Sequence, residues 1–327
     1  MLSLTIRVET FPLRGTFTIS RGSRTEITVV SVALTDEQGA TGQGECCPYA
    51  RYGQTVDSVV AELEAAKPLL ADGLTRDGLQ TALSANAARN ALDCAFWDLA
   101  AKQSGEPVWR LAGLAPPQPV ASAYTLSLDA PEAMAAAARE KAGWPLLKLK
   151  LAGPDDLARV RAVRQAAPQA RLIVDANEGW SVDDYFALEP ELADLGVEMV
   201  EQPLHADKDG PLAGRPHRIA VCADEACHDR TSLDHLGGRY EMVNIKLDKT
   251  GGLTEALALR EEARRRGFRV MVGCMMATSL AMAPAHLVAQ GADIADLDAP
   301  LWLRRDRTPP LAFHGATAAP PDPGLWG

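Results

Sequence analysis

Lys150, Asp175, Glu201, Asp224 and Lys246 recur along the second half of the 327-residue chain at intervals of 25, 26, 23 and 22 residues. Each closes a short apolar run: LLKLK, LIVDAN, EMVEQP, IAVCADE and MVNIKL. One strand plus one helix fills such an interval, so the repeat predicts a parallel sheet closed into a (β/α)8 barrel, whose strand ends gather on one rim. Three carboxylates on adjacent strands repel one another unless a cation joins them, and hard oxygen donors suit Mg²⁺, with Mn²⁺ as a substitute. In a ring of eight strands, the second and sixth lie opposite each other, so Lys150 and Lys246 would face a bound substrate from two sides. One lysine could then remove a proton α to a carboxylate and the other return it on the opposite face, the cation stabilising the enediolate between the two steps.

Side chains alternate along a strand, which sorts the neighbours. Lys148 shares the inward face with Lys150, while Leu147, Leu149 and Leu151 face outward. Two inward ammonium groups need partners or neutralisation. Lys148 would either lower the proton affinity of Lys150 by like-charge repulsion or pair with a ligand carboxylate. Asn177 shares the face of Asp175; Asn244 and Asp248 share that of Lys246; Lys249 has the other parity and is assigned to the loop. On strand eight, Asp296 and Asp298 lie across the mouth, where two carboxylates suit a cationic group such as an α-ammonium; balancing Arg304 and Arg305 is the alternative. Arg21 and Arg24, in SRGSRT, are candidates for a substrate carboxylate. His228, just past strand five, reads as a loop residue. Phosphate-loop, GxSxG and HExxH motifs are absent, and Gly42-Gln43-Gly44 lacks the rest of a dinucleotide fingerprint.

These residues need a scaffold, and the chain divides accordingly. Residues 1–118 read as an α+β capping domain: SLTIRVETF and TEITVVSVALTD alternate like antiparallel strands with a turn at Glu37-Gln38-Gly39, and Leu92, Ala95, Phe96 and Leu99 stripe a helix that stops at Gly105. Residues 119–300 hold the barrel, with helices starting near Pro131, Asp155, Val182, Thr231 and Leu253; residues 301–327 form a tail expected to pack back on the cap. Closing the site falls to TFTISRGSRT and to the stretch around Tyr49-Ala50-Arg51-Tyr52. With 33 basic and 43 acidic residues the net charge is −10, without a basic stripe, which argues against nucleic acid as a partner. No apolar run approaches a membrane span. Six cysteines without zinc-type spacing suit buried thiols in the cytoplasm.

Lys148-x-Lys150, Asp175-x-Asn177, Glu201-Gln202-Pro203, Asp224-Glu225 and Asn244-Ile245-Lys246 together resemble the enolase superfamily, muconate-lactonizing subgroup. RGSRTE, ARNALDCAFWDLAAK, VCADEACH, NIKLDKTGGLTEALAL and DLDAPLWL extend the resemblance over nearly the whole chain, to the L-Ala-D/L-Glu epimerases among the dipeptide epimerases. The resemblance implies a modified barrel closed by cap and tail. It implies Mg²⁺ on Asp175, Glu201 and Asp224, supported by Asn177 and Glu225, with Lys150 and Lys246 inverting the α-carbon of the C-terminal residue. Asp296 and Asp298 would hold the α-ammonium, Lys148 would join the substrate contacts, and Arg24 would meet a glutamate side chain. The implied partner is a small dipeptide released from cell-wall peptides, and capped barrels of this kind often assemble as homo-oligomers. An N-acylamino acid racemase, an o-succinylbenzoate synthase or a muconate cycloisomerase on the same scaffold is the alternative, although none of these needs an ammonium site. A metal-dependent binding protein would gain nothing from paired bases.

Overall fold

The computed structural model describes residues 1–153 and 155–327. Three antiparallel strands, β1 (Ser3–Ile19), β2 (Gly22–Thr35) and β3 (Thr41–Cys46), form the first sheet. β1 and β2 are joined by a tight hairpin in which Ile19 pairs with Gly22, and the turn at Glu37–Gly39 leads instead into β3. That third strand was hidden by its glycines. A Cβ on Gly42 would lie 2.2 Å from the Ala95 carbonyl oxygen, and one on Gly44 2.0 Å from that of Ala91, so only glycine lets the strand lie directly on a helix.

That helix is the third of three, α1 (Val56–Ala71), α2 (Arg76–Ala82) and α3 (Ala87–Ser104), whose first turns are capped by the side chains of Thr55, Thr75 and Asn86. α3 ends at Gly105, where φ is 72° and a left-handed residue closes the helix. Its stripe of Leu92, Ala95, Phe96 and Leu99 packs with Val30, Val32 and Leu34 of β2. Its other side, Cys94, Trp97 and Ala101, belongs to the barrel's core. α3 is therefore a wall shared by two hydrophobic units.

After α4 (Val108–Leu111) and β4 (Val120–Ala121), the chain alternates: β5 (Tyr124–Leu126), α5 (Pro131–Glu140), β6 (Leu146–Lys150), α6 (Asp156–Ala166), β7 (Arg171–Asp175), α7 (Val182–Asp194) and β8 (Val197–Glu201). Then come β9 (Ala220–Ala223), α8 (Leu233–Leu236), β10 (Met242–Ile245), α9 (Leu247–Thr250), α10 (Leu253–Arg265), β11 (Arg269–Val272), α11 (Ser279–Val288) and β12 (Ile294–Ala295). Strands β5 to β12 form one sheet in chain order, parallel throughout. The Ala123 N–H donates to the Ala295 carbonyl at 2.8 Å, tying the first edge to the last. β8 and β9 are linked by two 3₁₀ turns rather than an α-helix, so this is a modified (β/α)8 barrel.

The final segment forms β13 (Phe313–His314) and β14 (Thr317–Ala318), with β14 pairing with β4. Further on, the Trp326 indole donates to the Cys94 carbonyl in α3 at 3.1 Å. Among the described residues, no helix is long and apolar enough to cross a membrane.

Candidate active site

The barrel interior is built in layers two residues apart. Its floor is apolar: Ala123, Leu146, Ile173, Met199, Cys222, Met242, Met271 and Ile294 form one buried cluster. Two residues further along each strand the chemistry reverses, giving Thr125, Lys148, Asp175, Glu201, Asp224, Asn244, Gly273 and Asp296. Gly273 completes the ring by being small, since a Cβ there would lie 2.7 Å from the Asn244 side-chain oxygen. One step higher stand Lys150, Lys246 and Asp298, at the mouth of a cavity they line together with Lys148, Asp224 and Asp296.

Charges in this layer are paired. Lys150 Nζ donates to Asp175 Oδ2 at 2.6 Å, and Lys246 Nζ to Asp224 Oδ2 at 2.6 Å. Lys148 Nζ is surrounded by carboxylates: Glu201 Oε2 at 2.6 Å, Asp296 Oδ2 at 2.9 Å and Asp175 Oδ2 at 3.2 Å. Burial alone would pull Lys148 down, yet Asp296, Glu201 and Asp175 hold it well above its ordinary value. Lys246 likewise stays high because Asp224 and Glu201 outweigh its burial. Burial raises Asp175 and Asp224, but their lysines more than reverse this and leave both carboxyls below the usual range. Glu201 is the exception: burial, reinforced by Asp175, keeps its carboxyl raised. Its Oε2 is nonetheless held by Lys148 in the 2.6 Å ion pair.

The loops above β7, β8 and β9 are strained and laced together. Asn177, Glu178 and Gln202 all have positive φ, at 46°, 65° and 36°, a conformation L side chains seldom adopt. The Gln202 side-chain oxygen accepts from the Asp224 and Ala226 N–H groups, fixing the chain around Asp224. Asn177 donates its backbone N–H to Asp175 Oδ1 at 2.9 Å, while its side-chain oxygen is buried and has no partner among the described residues. Glu225 receives Arg21 Nη2 at 2.7 Å. Burial, with Asp224 beside it, pushes Glu225 up to about 7.

From the cap, the β1–β2 hairpin reaches over this rim. Besides Glu225, Arg21 meets the Asn177 carbonyl at 2.8 Å and Tyr49 Oη at 2.9 Å, and Arg51 forms a two-point pair with Glu178. Arg24 lines the cavity half-buried and makes no hydrogen bond among the described residues. Across the mouth, Asp298 accepts the Thr125 N–H at 2.6 Å, and burial with Asp296 alongside pushes it up to about 7. Arg304 and Arg305 turn to the Leu13 and Thr10 carbonyls, so neither balances the two aspartates.

Lys249 corrects the sequence reading. It lies in α9 rather than in a loop, fully buried, with Nζ on Asp224 Oδ1 at 2.6 Å. Parity failed because the chain turns helical directly after Lys246; Gly251-Gly252, which ends that turn, was the available signal. Tyr49, from the stretch expected to close the site, lines the cavity, whereas Cys47, Thr125, Met275 and Met276 carry no motif and emerge only from the fold. The free space among these side chains, open solvent at the mouth included, is about 650 Å³.

Residues 1–113 match the mandelate racemase / muconate lactonizing enzyme N-terminal domain, and residues 132–325 the enolase C-terminal domain-like family. The chain is 49% identical over 315 residues to the L-Ala-D/L-Glu epimerase of Escherichia coli (strain K12), covering 96% of this chain and 98% of that one. The chain belongs to the dipeptide epimerases of the enolase superfamily. It is also 42% identical to an N-acetyl-D-glutamate racemase of Pseudoalteromonas sp, over 91% of this chain and 95% of that one. A crystal structure of an enolase family member from Agrobacterium tumefaciens with homology to dipeptide epimerases, holding sodium and L-Ala-L-Glu with an ordered loop, superposes with a TM-score of 0.98 at 51% identity and full coverage of both chains. A dipeptide epimerase from Enterococcus faecalis V583, complexed with Mg and L-Leu-L-Tyr, gives 0.91 at 29% identity, covering 98% of this chain and 96% of that one. The protein is thus an isomerase acting on amino-acid derivatives.

Proposed function

We propose that this cavity epimerises L-Ala-D/L-Glu at the α-carbon of its C-terminal residue by two-lysine proton transfer. The observation that carries the reading is the placement of Lys150 and Lys246 at the two flanks of a buried wall of three carboxylates, within one cavity. Among the described residues no trio of acidic, histidine or cysteine side chains is preassembled around one point, because each carboxylate now faces an ammonium group. The donor set nevertheless fits a hard divalent cation: three buried carboxylates on consecutive strands, one of them, Glu201, held raised by burial and by Asp175 beside it. We assign Asp175, Glu201 and Asp224 to Mg²⁺, with Mn²⁺ as a substitute; bound there, the ion would supply positive charge for the substrate carboxylate and take over oxygens that now hold Lys246 protonated.

The chain's own groups do the rest. One lysine takes the α-proton and the other delivers a proton to the opposite face, so either diastereomer can enter. Lys148 holds Asp175, Glu201 and Asp296 in register at the base of the site. Asp296 and Asp298, two adjacent buried acids of which Asp298 is held raised by burial and by its neighbour, are suited to an α-ammonium, and Arg24 to a glutamate side-chain carboxylate. All six cysteines are free, which suits a reducing cytosol, and we take recycling of cell-wall peptides there as the physiological setting.

The relative that racemises N-acetyl-D-glutamate supports a second reading, in which the substrate is an N-acylated glutamate without an ammonium group. Incubation of L-Ala-L-Glu and of N-acetyl-L-glutamate with the protein and Mg²⁺ in D₂O, followed by NMR, separates the two. Loss of the α-proton signal with appearance of the L-Ala-D-Glu diastereomer is expected. Exchange of N-acetylglutamate alone would move the assignment to the racemases, and silence toward both would remove glutamate from the proposal.

A further inference from the structure

Lys249 holds Asp224 at both a side-chain and a backbone oxygen, and nothing in the proton-transfer scheme uses it. Its Nζ donates to Asp224 Oδ1 at 2.6 Å, to the Asp224 carbonyl at 2.5 Å and to the Asn244 carbonyl at 2.9 Å, so all three ammonium hydrogens have an acceptor. Lys246 takes the other oxygen, Oδ2. Asp224 is thereby prevented from turning about its Cβ–Cγ bond, with Oδ1 directed into the protein and Oδ2 toward the cavity.

The route to this contact starts in the cap. α9 is a single turn in which the N–H groups of Lys249 and Thr250 both return to the Lys246 carbonyl at 3.0 Å, bringing residues three apart onto one side. Its last carbonyls are taken up by Arg89 of α3, with Nη2 on Thr250 at 2.6 Å and Nε on Gly251 at 3.1 Å. Gly251 and Gly252 have φ of 72° and 119°, and a Cβ on them would lie 2.4 Å from Arg89 Nε and 2.5 Å from Asp93. The helix and the turn therefore meet at backbone distance. A cap arginine caps the turn, and the turn delivers a lysine to Asp224.

We propose that Lys249, anchored through α9 to Arg89, is a positioning residue that presents one oxygen of Asp224 to the divalent cation. This rests on the assignment of Asp224 as a metal ligand. A buried ammonium beside a cation site has two opposed effects: its charge repels the ion, and its hydrogen bonds orient the ligand. Orientation of this kind typically contributes about 10- to 100-fold in metal affinity.

Calorimetric titration of Mg²⁺ into the full chain and three variants decides between them. Asp224→Asn tests the ligand assignment and should lose most Mg²⁺ binding; unchanged binding would overturn that assignment itself. Lys249→Met, neutral and of similar length, should bind Mg²⁺ on the order of 10-fold more weakly or worse. Lys249→Gln, which keeps a donor without the charge, should recover part of that loss. If Asp224→Asn loses Mg²⁺ while Lys249→Met binds it as tightly as the parent or more tightly, Lys249 acts through charge alone and the positioning role is wrong. Should Lys249→Met fail to fold, Lys249→Arg carries the same test: its rigid fork cannot reproduce three single-point contacts, so weaker binding is expected and unchanged binding overturns the proposal.

Discussion

The floor and the rim of the barrel interior are the same strands read two residues apart, and they are opposite in kind. Leu146, Ile173, Met199 and Met242 on the floor are buried hydrocarbon or thioether, whereas Lys148, Asp175, Glu201 and Asn244 directly above are equally buried and polar. The floor stabilises the fold by removing apolar surface from water. The rim does the reverse: buried ion pairs seldom repay their desolvation, and breaking one by removing a single partner is worse than replacing both. A protein that sets charges on top of an apolar plug is using the plug's stability to hold them in place.

The sharpest way to break this contrast is at the lysines. Lys150→Ala and Lys246→Ala should each lower α-proton exchange by about 10²- to 10⁴-fold, with circular dichroism unchanged. Retained exchange in either variant would remove that lysine from the chemistry.

Next in size come two substitutions that read the layers against each other. Lys148→Met leaves Asp175, Glu201 and Asp296 without their shared partner and should cost about 3–5 kcal/mol of stability by urea unfolding. Met271→Ala in the floor should cost about 2–5 kcal/mol by opening a cavity, while exchange per folded molecule stays near that of the parent. A folded but inactive Met271→Ala protein would mean that the two layers are not separable.

A smaller effect is expected at the far wall. Asp296→Ala should lower kcat/KM for L-Ala-L-Glu by on the order of 10- to 100-fold, the loss of a charged hydrogen bond of roughly 1.5–3 kcal/mol, and lower any turnover of N-acetyl-L-glutamate less. Equal losses on both substrates would sink the ammonium assignment.

The last test is a pH slope. Asp248 is buried at the junction of the two units, where Cys47 and Asn90 donate to its Oδ1. Burial raises it from 3.8 to about 7, so between those values the folded protein keeps a proton that the unfolded chain has released. Its contribution is complete at low pH and is lost as pH rises through about 7. Asp248→Asn keeps the acceptor oxygen and should flatten the fall of Tm over that window. An unchanged slope in thermal melts would show that Asp248 ionises elsewhere.

Much of this was legible in the chain. The spacing of Lys150, Asp175, Glu201, Asp224 and Lys246 follows from the length of a strand and a helix, and strict alternation along a strand assigned Lys148, Asn244, Asp296 and Asp298 to the inward face. Those are local rules with fixed periods, and residues that obey them declare their side from sequence alone. Lys249 escaped because the period changed from two to 3.6 within three residues of Lys246. β3 escaped because its glycines answer to a helix about 50 residues away rather than to their neighbours. The pairing of charges was equally out of reach: that Lys148 serves three carboxylates, that Arg21 reaches from the cap to Glu225, and that Arg89 closes α9 all join residues distant in sequence. Periodicity in the sequence determined which side chains enter the barrel. Only the tertiary structure decided which of them meet, because a buried charge takes its partner from whatever the closed fold brings within a few ångströms.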